Sequence, residues 1–188
     1  MKYAAALATM AVAGCLLGQP AQATAVPQEL HAVLPTAALS GQATLRYWGF
    51  DIYQATLWVA PGFVDSDYAQ SAFALELAYH RALKGADIAK RSVAEMRRQG
   101  PISAEEHARW EEQMRTLFPD VQSGDRITGV YLPQRGAMFW SNGRLLGEIR
   151  DATFAKRFFG IWLSPQTSEP RMRQALLSQA GATESPKP

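Results

Sequence analysis

The chain predicts an α+β domain, a large antiparallel sheet with helices layered on one face. Three observations lead there. Segments rich in aromatic and β-branched residues, several of them alternating apolar and polar, fall in two groups, over residues 44–79 and 128–149. Two stretches with apolar residues at helical spacing lie between the groups, and two shorter ones follow the second. Runs of strands set apart from runs of helices, without strict strand–helix alternation, favour an antiparallel sheet covered by helices.

The N-terminus stands apart from this pattern. Met1 and Lys2 give a short positive start, residues 3–18 are apolar but too short to span a bilayer comfortably, and Ala21, Ala23 and Ala25 follow Pro20. This predicts a secretory signal peptide over residues 1–23, cleaved after Ala23 or Ala25. The expected protein is therefore periplasmic, with no transmembrane span in the mature chain. The single cysteine, Cys15, sits in Val12-Ala13-Gly14-Cys15, which resembles the lipobox of bacterial lipoproteins. Anchoring through Cys15 is thus the alternative. Under ordinary cleavage the mature chain has no disulfide, no thiol nucleophile and no cysteine-based metal site.

At 188 residues, 47% apolar and 19% charged, the remainder suits one globular domain, residues 26–180, with a flexible tail over 181–188. The net charge is +2, and loss of Lys2 with the signal leaves +1. A nucleic-acid partner needs a concentrated basic face, so none is expected. Arg97–Arg98 and Lys156–Arg157 are local pairs at expected helix ends, where they complement the helix dipole.

Taken in order, residues 26–40 carry two prolines and few charges and read as an irregular lead-in or edge strand. Residues 44–59, TLRYWGFDIYQATLWV, read as one long strand or two, with Trp48–Gly49 as a bulge or bend. After a polar connection at 65–70, Phe73, Leu75, Leu77 and Tyr79 alternate with Ala74, Glu76 and Ala78, which predicts a half-buried strand. Asp87 is placed to cap a helix with Ala89, Val93 and Met96 on its inner face, running to Gly100–Pro101. Ser103 and Glu106 form a capping box before the stripe His107, Trp110, Met114 and Leu117. Three apolar runs then follow as a meander, its second turn made by Asn142–Gly143, a dipeptide that accepts φ > 0 at both positions. Asp151 offers a cap to a helix over 152–159, with Gly160 as its left-handed stop and Ile161–Leu163 returning to the core. A closing helix over 168–178 points Met172, Ala175 and Leu176 inward and Arg171 and Arg173 outward.

Little in the chain specifies chemistry. His31, His80 and His107 have no metal-ligand spacing, so neither a metal nor a cofactor is expected. Glu105–Glu106 and Glu111–Glu112 read as a helix surface, and no nucleophile-elbow, phosphate-loop or dinucleotide motif occurs. What remains is a set of tyrosines and tryptophans suited to core packing or to lining an apolar pocket.

The segments GFDIYQATLWV, FALELAYHRALKGADIAKRSVAEM, LFPDVQSGDRITGVYLP, FWSNGRLLGEI and FAKRFFGIWLSP together resemble the bacterial chalcone isomerase-like proteins. These are a branch of the family that holds plant chalcone isomerase and the fatty-acid-binding proteins of plastids. The resemblance covers nearly all of the expected mature chain. It implies an open-faced β-sandwich in which a cleft lies between a large antiparallel sheet and its helices. It also implies that the enzyme's chemistry is missing. The enzyme's arginine aligns with Gly41–Gln42, and its tyrosine and asparagine align with Ile88 and Glu95. Tyr53 falls where the enzyme has threonine and the fatty-acid binders have tyrosine.

No catalytic residues are therefore assigned. The expected function is non-catalytic binding of a small apolar ligand such as a fatty acid, with Tyr53, Arg46 and Tyr79 as the ligand-binding candidates. One alternative is an isomerase or lyase whose rearranged site uses these same three residues. Another is an envelope protein that acts through a protein partner the sequence does not identify.

Overall fold

The computed structural model describes residues 25–179. The expected signal peptide, Cys15 and the 181–188 tail lie outside the described residues. Six strands form one antiparallel sheet in sequence order: β1 Ala38–Tyr47, β2 Phe50–Val59, β3 Phe73–Tyr79, β4 Arg126–Leu132, β5 Gly136–Ser141 and β6 Arg144–Ile149. The helices are α1 Leu30–Val33, α2 Gly85–Met96, α3 Ala104–Leu117, α4 Ala152–Leu163 and α5 Pro170–Leu176. The main core lies between one sheet face and α2 to α5. The α+β architecture is the one the sequence patterning predicts.

Register explains which side chains meet the helices. Leu57, Leu75, Gly129 and Phe139 are successive cross-strand partners, as are Val59, Phe73, Tyr131 and Ala137. These rows receive Phe154, Phe158 and Phe159 of α4, with the Phe73 and Phe159 rings edge-on at 5.1 Å. Burying each such ring contributes roughly 1.5–3 kcal/mol. At Gly129 a Cβ would lie 3.1 Å from the Phe159 ring, so the missing side chain lets α4 settle onto the sheet.

The structure corrects several local expectations. The bend at Trp48–Gly49 is a complete two-residue hairpin turn, with φ of 52° and 81°, and β1 and β2 are separate strands. β3 is buried on both faces, because its second face lies under α1 and the residues around it. There Leu30 and Leu34 cover Trp58, Ala74, Val130 and Trp140. Asp87 does not cap α2. The Gly85 N–H donates instead to Asp120 Oδ1 at 3.0 Å, across 35 residues of chain, a partner that no local motif announces.

Gly160 does not end α4. The helix continues to Leu163 and stops at Ser164, which is extended (φ −68°, ψ 146°) because the following Pro165 disfavours helical geometry before it. Gly160 serves close packing, since a Cβ there would lie 2.0 Å from Gln99 Oε1. Arg173 is half-buried, and its Nε donates to the Leu163 carbonyl at 2.8 Å, tying α5 to the end of α4.

Other elements stand as the sequence indicates. Ser103 and Glu106 form both bonds of the capping box. Asn142 and Gly143 have φ of 49° and 81° at the β5–β6 turn. Asp151 Oδ1 accepts from the Phe154 N–H at 2.8 Å at the start of α4.

Candidate functional site

Where β1 to β4 run under α2, α4 and α5, side chains from the two layers do not close against each other. They leave a cavity of about 560 Å³, within the roughly 300–1,000 Å³ usual for small-molecule sites. Its floor is Leu45, Tyr53, Leu77, Tyr79 and Ile127 of the sheet. Its roof is Ile88 and Ser92 of α2, Phe158, Ile161 and Trp162 of α4, and Met172 of α5. Helical spacing produces this lining, because Ile88 and Ser92 are four residues apart, as are Phe158 and Trp162.

Two tyrosine hydroxyls punctuate the apolar surface. Tyr53 and Tyr79 are cross-strand partners with rings edge-on at 6.0 Å. Tyr53 Oη accepts from Trp162 Nε1 at 3.0 Å, which leaves its own proton available to a second group. The Tyr79 hydroxyl has no hydrogen-bond partner among the described residues. Burial pushes the Tyr53 pKa up to about 12, against the smaller opposing effect of the Trp162 bond. Burial likewise raises Tyr79, with Tyr53 beside it adding to the effect. Both are therefore neutral donors at ordinary pH and poor proton acceptors.

Charge enters from α2. Glu95 lines the cavity with only 9% of its side chain exposed. Its carboxylate is held by Arg91 Nη2 at 2.7 Å and Arg98 Nε at 2.8 Å, whose side chains are mostly exposed. Asp87 and Glu169 also contribute to the wall. The five charged lining residues sum to one net negative charge, and both cations are already engaged by Glu95. The arrangement can bind an apolar body and donate hydrogen bonds to a polar end.

Of the three sequence candidates, the structure brings Tyr53 and Tyr79 together on the cavity floor. Arg46 lies elsewhere. It pairs with Asp51 at 2.6 Å near the β1–β2 turn, and its side chain is 72% exposed. A register shift between Leu45 and Arg46 turns the strand at that point. Sequence reasoning missed Trp162, whose bond to Tyr53 spans 109 residues. It also missed the Arg91–Glu95–Arg98 cluster, which the i,i+4 and i,i+3 spacing could have revealed.

The position aligned with the enzyme's arginine is closed by backbone. A Cβ on Gly41 would lie 2.1 Å from the Ala175 carbonyl oxygen and 2.6 Å from that of Leu176, so α5 occupies the space a side chain would need. Ser40 Oγ donates to the Leu176 carbonyl at 2.9 Å and fixes this contact. Ile88 and Glu95, aligned with the enzyme's tyrosine and asparagine, both line the cavity.

Comparison with known proteins gives three likenesses. Residues 20–178 match a family model described as chalcone isomerase-like. An uncharacterized protein of Haemophilus influenzae is 26% identical over 139 residues, covering 74% of this chain and 67% of the relative. The crystal structure of an Arabidopsis thaliana fatty-acid binding protein superposes with a TM-score of 0.59 at 10% identity, covering 77% of this chain and 88% of that one. At that identity the last likeness bears on the fold alone.

Proposed function

The chain belongs to the chalcone isomerase-like family, and from that premise we propose that it is an exported, non-catalytic protein that holds one small apolar molecule, such as a fatty acid, in the cavity beneath α2, α4 and α5. The observation that carries this reading is the apolar cavity of about 560 Å³ with two neutral tyrosine hydroxyls on its floor. The fatty-acid-binding title of the plant neighbour points the same way. Export is proposed from the apolar run at 3–18 and the small residues at 21–25.

The absence of catalysis is supported by electrostatics. Stabilising a developing oxyanion needs a preorganised cation or strong donors aimed at it. Backbone fills the arginine position at Gly41, and Arg91 and Arg98 are both spent on Glu95. The tyrosines, held neutral by burial, are unsuited to act as bases.

The test is purification from producing cells, native and denaturing mass spectrometry, and titration with a fluorescent long-chain fatty acid. One ligand per chain is expected, lost on denaturation and displaced by unlabelled fatty acid. Ile88→Trp and Ile161→Trp, at half-buried positions of the lining, should abolish uptake while leaving the fold intact. A chain that arrives bare and binds neither fatty acid nor any other apolar probe would sink the ligand reading. Turnover of an enone that disappears in Tyr53→Phe would overturn the non-catalytic part. Intact mass beginning at Thr24 or Val26 would support export by cleavage, and an unprocessed envelope form would count against it.

A further inference from the structure

The β1–β2 hairpin ends in a cluster of aromatic side chains that the core does not use. Trp48 is 85% exposed, Tyr47 62% and Phe50 58%, and these three of the five exposed large apolar residues fall within four consecutive positions. The turn places them at a convex end, because Trp48 and Gly49 both take positive φ between two ten-residue strands. The Tyr47 and Trp48 rings lie 6.1 Å apart. Cations stand beside the rings. The Arg81 guanidinium lies 4.6 Å from the centre of the Phe50 ring, and Arg46 is exposed next to Tyr47, with Asp51 as its partner. Tyr47 is also part of the cavity lining, so the tip runs without interruption into the mouth of the cavity.

We propose that this hairpin tip docks onto an anionic phospholipid surface and holds the cavity mouth against it. Indole and phenol rings settle at the headgroup level of a bilayer, where one edge is apolar and the other wet. Arginines beside them keep their charge among lipid phosphates while their stems lie along the rings. With Arg46 and Arg81 against Asp51, the tip carries one excess positive charge. A bilayer needs no complementary shape to receive four residues, whereas a standard protein interface needs roughly 800 Å² from each side. A second copy is disfavoured for the same reason, since two convex tips are not self-complementary. The docking takes its purpose from the proposed ligand role, giving an apolar molecule a path between membrane and cavity that avoids water.

The test uses the full chain with unilamellar vesicles of phosphatidylcholine and phosphatidylglycerol in equal parts, acyl chains brominated, and no added ligand. The apolar run at 3–18 would itself hold lipid, so the readout is local to Trp48: its emission, isolated by subtracting the signal of Trp48→Phe. Quenching of that component by brominated lipid is expected, weaker on pure phosphatidylcholine and at high salt. In a Tyr47→Ser, Phe50→Ser variant that keeps Trp48, the lipid concentration needed for half-maximal quenching should rise by about tenfold. Lack of Trp48 quenching in the wild type overturns the proposal, as does quenching unchanged in the variant. A dimer by light scattering that Trp48→Ser dissolves would assign the tip to self-association instead and equally overturn it. Fatty-acid titration of the same samples keeps the two readings separate: quenching without uptake sinks the ligand role and leaves docking standing, and uptake without quenching does the reverse.

Discussion

Removing one hydroxyl at a time from the cavity floor should separate what holds the protein together from what holds its ligand. In Tyr53→Phe the Trp162 indole loses its acceptor, and Trp162 is only 6% exposed. A buried donor left without a partner costs about 1–3 kcal/mol, and for a chain of this size each kcal/mol lowers Tm by about 2–4 °C. In Tyr79→Phe no partner is stranded, so stability should change by less than about 0.5 kcal/mol. For binding the two should look alike, because each loses one neutral hydrogen bond to the ligand's polar end. That bond is worth about 0.5–1.5 kcal/mol, or roughly a two- to twelve-fold weaker Kd. Urea unfolding of both variants, alongside titration with a fluorescent fatty acid, measures each quantity. Equal destabilisation by the two substitutions would refute the assignment of the Trp162 bond as the structural one. Unchanged affinity in both would show that the ligand does not use the tyrosines.

Asp151→Ala should cost about 2–4 kcal/mol in urea melts, about 1 for the helix cap and about 1–3 for the Trp110 indole that donates to Asp151 Oδ2 at 2.8 Å. Burial opposes ionisation of Asp151, but the Phe154, Trp110 and Arg109 bonds outweigh it and lower the native pKa. Its contribution is thus present above the unfolded value of about 4 and lost as pH falls through the native one. Asp151→Asn should flatten that part of the acid limb, and an unchanged limb would reject the account. Gly41→Arg, which restores the residue type found in the enzyme, should yield insoluble or strongly destabilised protein rather than activity, because the Ala175 carbonyl oxygen lies 2.1 Å from where its Cβ must go. A folded, soluble Gly41→Arg chain would contradict that. At high pH, Tyr53 and Tyr68 are pushed up to about 12, chiefly by burial, while unfolded tyrosine ionises near 10. Their contribution is complete below about pH 10 and drains away as pH rises through about 12. Tyrosinate absorbance and unfolding measured together should show late ionisation coincident with the loss of structure.

Local chemistry made most of the fold legible, and long-range contact hid much of the site. Asn142–Gly143, the Ser103 capping box and Asp151 act within a few residues of themselves, and each took the place its spacing indicates. The period-two pattern of β3 marked a strand but misjudged its outer face, since Leu30 and Leu34 arrive from a distant part of the chain to cover it. Gly160 read as a stop because glycine commonly ends helices. Its actual use, room for Gln99, depends on a neighbour 61 residues away. Tyr53 and Tyr79 could be singled out as a pocket pair, but the Trp162 partner comes from α4 and leaves no trace in the sequence of β2. Arg46 shows the reverse error: nearness to Tyr53 along a strand suggested a shared site, and the register shift beside it sends the side chain to solvent.

The polar bonds that position the cavity walls lie outside the cavity. α2 is pinned at its start by Asp120, and α4 is tied at its start by Asp151 to Trp110 of α3. α5 is held by the Arg173 bond to the Leu163 carbonyl, by the Ser40 bond to the Leu176 carbonyl and by the Gln179 N–H on the Ser40 carbonyl. None of these carboxylates or carbonyls faces the lining. Within the lining, Tyr53–Trp162 is the bond that links the sheet to the helical layer. The helices can therefore stand off from the sheet over an apolar space without collapsing onto it, because their positions are set by contacts at their ends. It follows that substitutions of Ile88, Ile161, Met172 or Tyr79 act on the contents of the cavity and leave its walls in place. Substitutions of Asp120, Asp151 or Ser40 act on the walls, and through them on everything the cavity does.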